Sequence, residues 1–152
     1  MMLNVYLGML RRAEELLAAS FRTVGEGHAA EPDVHGICRL LAGQCDAHEQ
    51  ALRPVLDRYG ERPDDEPERL HVTAIESTRS GPLGLLRDLQ DLSLLAQLVD
   101  TTYTLVKQAA AALRDEELLG VIRDCEGQTA TQIAWIGTRM KQAAPQALVV
   151  AG

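Results

Sequence analysis

Three places in this 152-residue chain put residues able to do chemistry where apolar residues are expected. Glu14 stands between Leu10 and Leu17, His48 between Cys45 and Leu52, and Glu126 between Ile122 and Thr129. All three lie on stripes that repeat at steps of three and four, the spacing that lines one face of an α-helix. A carboxylate on such a face is costly unless a metal, a hydrogen bond or a cation satisfies it. Each also has a plainer explanation. Glu14 can sit at the edge of its stripe and pair with Arg11 or Arg12, and His48 can be a hydrogen-bonded core histidine. Glu126, beside Gly127, can face solvent, and Cys38, Cys45 and Cys125 can be small buried hydrophobes. Other chemistries lack their spacing, since the sequence holds no glycine-rich phosphate loop, no Cys-x-x-Cys pair and no arguable Ser-His-Asp set. His28, His35 and His71 fall in or near loops.

Four amphipathic segments must position these residues. The first runs from about Asn4 to Val24 with Leu3, Leu7, Leu10, Leu17, Phe21 and Val24 on its stripe, and Gly25-Glu26-Gly27 is expected to end it. The second runs from Asp33, read as its N-cap, to Tyr59 before Gly60, with Pro54 expected to kink it. The third spans about Leu85 to Leu113, and its stripe, from Leu85 through Tyr103 and Ala110 to Leu113, is read as free of acids. Asp115 caps the fourth, with Glu116 and Glu117 in its first turn, and its stripe is Leu119, Ile122, Glu126, Thr129, Ile133, Ile136 and Met140. Pro145 is expected to end regular structure, giving one domain over 1–144 and a tail over 145–152.

Connection lengths select a topology. Helices 1 and 2, and helices 3 and 4, are joined by short links and so form antiparallel hairpins. The stretch from Glu61 to Leu83, with Pro63, Pro67, Pro82 and the run Asp64-Asp65-Glu66, is long enough to travel the bundle, and a short helix is expected around Glu68 to Val72. Twenty-odd residues at ~3.3 Å each easily span a helix of roughly 40 Å. The fold class is therefore all-α: a four-helix bundle of two hairpins joined by a crossover.

With that topology, and with Glu14, Cys45-Asp46-Ala47-His48 and Glu126-Gly127-Gln128-Thr129 at the positions of the inward ligands, the chain resembles the ferritin-like superfamily. The resemblance covers helices 1 to 4. In that family one Glu from each of two helices and a Glu-x-x-His pair from each of the other two hold two metal ions. Here Cys45 replaces the helix-2 Glu, Thr129 replaces the helix-4 His, and helix 3 offers no acid beyond Asp100 on a face read as solvated. The residues kept are those the family gathers around one of its two metals. The resemblance thus implies a single-metal site of Glu14, His48 and Glu126 with Cys45, whose mixed donors suit Zn²⁺ or Fe²⁺.

Composition bounds the function. Hydrophobic residues make up 46%, charged residues 24% and aromatics 3%, so the core is aliphatic. A formal charge of -7 with no basic run excludes a nucleic-acid binder. The N-terminus lacks the pattern of a secretion signal, no window reaches the ~18 apolar residues of a membrane span, and three widely spaced cysteines do not make a disulfide framework. A cytoplasmic protein is expected, and thirteen Arg against two Lys points to a GC-rich bacterial genome. The leading expectation is a non-catalytic interaction or scaffold protein, most simply a homodimer through helix 3 with Leu94, Leu95 and Leu98 on its face. The alternative is a single-metal protein. A di-iron oxidase or ferroxidase would need ligands the chain does not have.

Overall fold

The computed structural model describes residues 1–60 and 73–151. The short helix expected around Glu68 to Val72 lies outside them. Four α-helices account for nearly all of the rest: α1 (Leu3–Gly27), α2 (Pro32–Tyr59), α3 (Gly81–Ala112) and α4 (Glu116–Pro145). No strand occurs among the described residues, and no helix among them is long and apolar enough to cross a membrane.

The stripes read from the sequence form the core. On α1, Leu7, Leu10, Leu17, Phe21 and Val24 are fully buried, and Val34, Cys38, Cys45 and Leu52 of α2 face the same interior. Leu89, Leu92, Ala96, Tyr103 and Ala110 do the same on α3. Each large aliphatic side chain sealed this way contributes about 1.5–3 kcal/mol. The most extensive packing joins α1 to α2 and α3 to α4, and a further α1–α3 contact unites the pairs.

Several ends differ from expectation. α1 runs through Gly25 to Gly27, because Gly25 marks a close approach of two helices and not a stop. A Cβ built there would lie 2.9 Å from Cys38 Cβ on α2. α2 starts at Pro32 with Glu31 in the cap position, and Asp33 instead accepts from Arg139 Nε at 2.7 Å. α3 begins four residues early. Gly81, at φ +76°, turns the chain inward, and Pro82 suits the first turn, where its missing N–H costs nothing. After Pro145 a π-helical turn continues over Gln146–Val150, because Ala147 packs with Ala143 and Met140 of α4 against Leu86 of α3.

Asp115 behaves as read, its carboxylate accepting from Leu118 N at 3.1 Å. It also accepts from Arg58 and from the Tyr59 hydroxyl, tying the end of α2 to the α3–α4 link. Nearby, Asn4 Nδ2 donates to Gly60 O at 3.0 Å.

Candidate functional site

Glu14, at the middle of α1, is completely buried with His48 of α2 against it. His48 Nδ1 and Glu14 Oε2 are 2.5 Å apart, and the Tyr103 hydroxyl of α3 donates to the same oxygen at 3.3 Å. On its other side His48 Nε2 meets Gln128 Oε1 of α4 at 2.7 Å. All four helices contribute one residue to this polar cluster. Glu14 Oε1 is sealed from solvent and has no hydrogen-bond partner.

The electrostatics follow from that placement. Burial raises the Glu14 carboxyl above its ordinary value by penalising the anion, against the opposing pull of His48 and Tyr103. For His48 burial acts downward, but the hydrogen bond and charge of Glu14, with Gln128, outweigh it and the imidazole is raised. Gln128 suits either form of the ring, because its amide can accept from an imidazolium or, turned over, donate to a neutral ring nitrogen.

Cys45 is one turn of α2 from His48 and fully buried, but its partner is Gln132 of α4, whose Nε2 also donates to Gln44 Oε1 at 3.1 Å. Burial, with the Glu14 charge, pushes the Cys45 thiol far up, so the thiolate that a metal needs is disfavoured. Burial likewise pushes Cys38 up to about 12 and Cys125 up to about 11.

Glu126, expected as a ligand, does not join Glu14 and His48. Its carboxylate is held by Lys107 Nζ of α3 with about a quarter of the side chain exposed. The cause is the phase of α4, whose sealed seam is Leu118, Ile122, Cys125, Thr129, Gln132 and Ile136. That seam puts Cys125 inward and Glu126 on the rim. Among the described residues no group of three or more His, Cys, Asp or Glu side chains is placed to hold a metal ion. Glu14 and His48 bond each other, while Cys45 pairs with Gln132 and Glu126 with Lys107. Among the fully buried oxygen and nitrogen atoms of these four residues, Glu14 Oε1 is without a hydrogen-bond partner.

A second buried acid was missed in the sequence. α3 does carry one on its inner face: Asp88 is fully buried and accepts from His28 Nε2 at 2.7 Å, with Arg79 donating through its backbone N–H and its guanidinium. Its signal was available, three residues after Leu85 and four before Leu92. His28, read as a loop residue, is the buried C-terminal cap of α1.

Among the described residues the protein is all-α, four long helices around an aliphatic core with a buried Glu–His pair. Comparison with family models, curated proteins and solved structures finds no match.

Proposed function

We propose that this chain is a helical-bundle interaction protein that self-associates through the outward face of α3. The observation that carries the proposal is a line of exposed leucines. Leu83, Leu94 and Leu105 recur every eleven residues, close to three helical turns, and are 50%, 68% and 52% exposed. Leu98, half-buried, continues the same line. Leu105 also borders an apolar cleft of about 510 Å³ with Met1, Met2, Tyr6 and Leu113. Exposed apolar surface arranged this way marks an interaction face.

Charge selects a second copy as the partner. Two chains of -7 repel each other and can meet only where charge is sparse. Between Leu92 and Val106, α3 carries one charged residue, Asp100. An isologous pairing of this face needs no complementary surface elsewhere. Light scattering coupled to size-exclusion chromatography at tens of micromolar should give twice the 16.6 kDa of one chain, and Leu94→Glu with Leu105→Glu should give one. A monomeric parent would sink the proposal.

The bundle proposed here is ferritin-like in its order, two antiparallel hairpins joined by the stretch between α2 and α3. Contacts at the helix ends support it. Asn4 with Gly60, and Arg58 and Tyr59 with Asp115, bring the start of α1, the end of α2 and the α3–α4 link to one end. His28 with Asp88, and Arg139 with Glu31 and Asp33, bring together the opposite ends.

One observation favours a second reading, a single Zn²⁺ or Fe²⁺ held by Glu14 and His48 with Cys45: the buried Glu14 Oε1 has no partner. Metal analysis of protein expressed with iron and zinc supplied decides it, together with Glu14→Ala and His48→Ala. Stoichiometric metal lost from both variants establishes that reading, and substoichiometric metal in the parent removes it.

A further inference from the structure

The spacing of the exposed α3 leucines fixes more than a contact. Leu83 and Leu105 each lie eleven residues from Leu94. At ~100° per residue an eleven-residue step turns the line by only ~20°, so the three stay on one nearly straight strip of α3. A strip that is symmetric about its middle residue can be laid on a copy of itself with all three leucines matched in two ways. The copies run parallel, or they run antiparallel about Leu94.

The residues between the leucines choose the direction. Gln90, Thr101 and Gln108 are exposed, uncharged members of the strip, and Arg87 is an exposed, charged one. A parallel pairing sets each residue against itself, so Arg87 meets the partner's Arg87 and Asp91 meets the partner's Asp91. Like charges facing each other across a surface that is losing its water are disfavoured. The antiparallel pairing sets Arg87 against the partner's Thr101 and Asp91 against the partner's Gln97. It holds Arg87 ~20 Å along the axis from the partner's Arg87, and it opposes the two helix dipoles.

The register follows from the same residues. If one copy slides by eleven residues, a leucine of each chain is left without a leucine opposite it. A slide in one direction brings Arg87 within ~5 Å along the axis of the partner's Arg87, and a slide in the other does the same for Asp100 and the partner's Asp100. With Leu94 at the centre both conflicts are absent.

We infer that a second copy of this chain packs antiparallel on α3 with the two-fold axis at Leu94. Leu94 meets the partner's Leu94. Leu83 lies on the partner's Leu105, at the border of the apolar cleft lined by Met2, Tyr6 and Leu113. The arrangement rests on the self-association of α3's outward face.

Double electron–electron resonance between nitroxides on Thr104→Cys, and separately on Ala111→Cys, tests it, with light scattering of the parent and of each labelled sample. Both positions are exposed, and Cys38, Cys45 and Cys125 are buried, so the label goes to the introduced thiol. The antiparallel register places the two labels of a dimer ~30 Å apart at position 104 and ~50 Å apart at position 111, whereas a parallel pairing keeps both distances under ~20 Å. An eleven-residue slide displaces each distance by ~16 Å. A dimer with the two antiparallel distances is the expected result. A dimer giving any other pair of distances overturns this register while self-association stands, and a parent that scatters as a monomer overturns both.

Discussion

Glu14 and His48 bind protons more tightly in the folded chain than in the unfolded one. For His48 the folded value is raised above 6.5, so its contribution to stability is complete below that pH and is lost as pH rises through the folded value. Glu14, raised above 4.5 by burial, acts in the same direction. Stability should therefore fall from pH 6 to pH 8. A parent Tm that drops more than that of His48→Gln over this interval is the expected result of thermal melts by circular dichroism. Equal pH slopes would show that the pair does not titrate as the geometry requires. Both residues were legible in the sequence because each interrupts an apolar stripe, and a buried polar group is the informative exception. Glu126 was legible only as a candidate. In α4 apolar and small residues border two adjacent faces, and period alone cannot choose between the seam through Cys125 and the one through Glu126. Gln128 and Gln132 gave no signal, since an amide near a stripe is equally at home in solvent.

At the scale of the elements, glycine shows why the helices were readable and their ends were not. It terminates helices by adopting positive φ, and it lets helices approach by lacking a Cβ, and sequence does not distinguish the two uses. Gly25 is of the second kind, whereas Gly60, at φ +81°, ends α2 as expected. Gly43, exposed in the middle of α2, is of neither kind, with nothing within 4 Å of a Cβ built there. The two substitutions should therefore differ in sign. Gly43→Ala should stabilise by about 0.5–1 kcal/mol through helix propensity alone. Gly25→Ala should destabilise by about 1–3 kcal/mol, because its methyl must push α1 from Cys38 or displace that side chain. Urea unfolding of both variants checks the pair, and a stabilised Gly25→Ala would mean the α1–α2 contact is looser than described. The start of α3 was hidden for a related reason, because Gly81-Pro82 reads equally as a loop and as a turn into a helix's first residues.

At the scale of the whole molecule, charge and apolar surface oppose each other. A chain with a formal charge of -7 and pI near 5.0 is repelled by its own copies at neutral pH, while the leucine line on α3 rewards their contact. These two effects respond differently to salt. Screening shortens the reach of the repulsion from roughly 14 Å at 0.05 M to roughly 4 Å at 0.5 M, whereas burial of leucine is not weakened by sodium chloride. An interface held by ion pairs would loosen over the same range. The proposed α3 interface has only Asp100 between Leu92 and Val106, so screening has almost no attraction to remove there and much repulsion. The dimer should therefore tighten by severalfold between 0.05 M and 0.5 M sodium chloride, as read by sedimentation equilibrium at pH 7.5. Leu94→Glu adds a negative charge at the centre of the line, so any dimer it retains should depend on salt more steeply than the parent. A parent dimer that dissociates as salt rises would place the contact on a charged face and remove α3 from it.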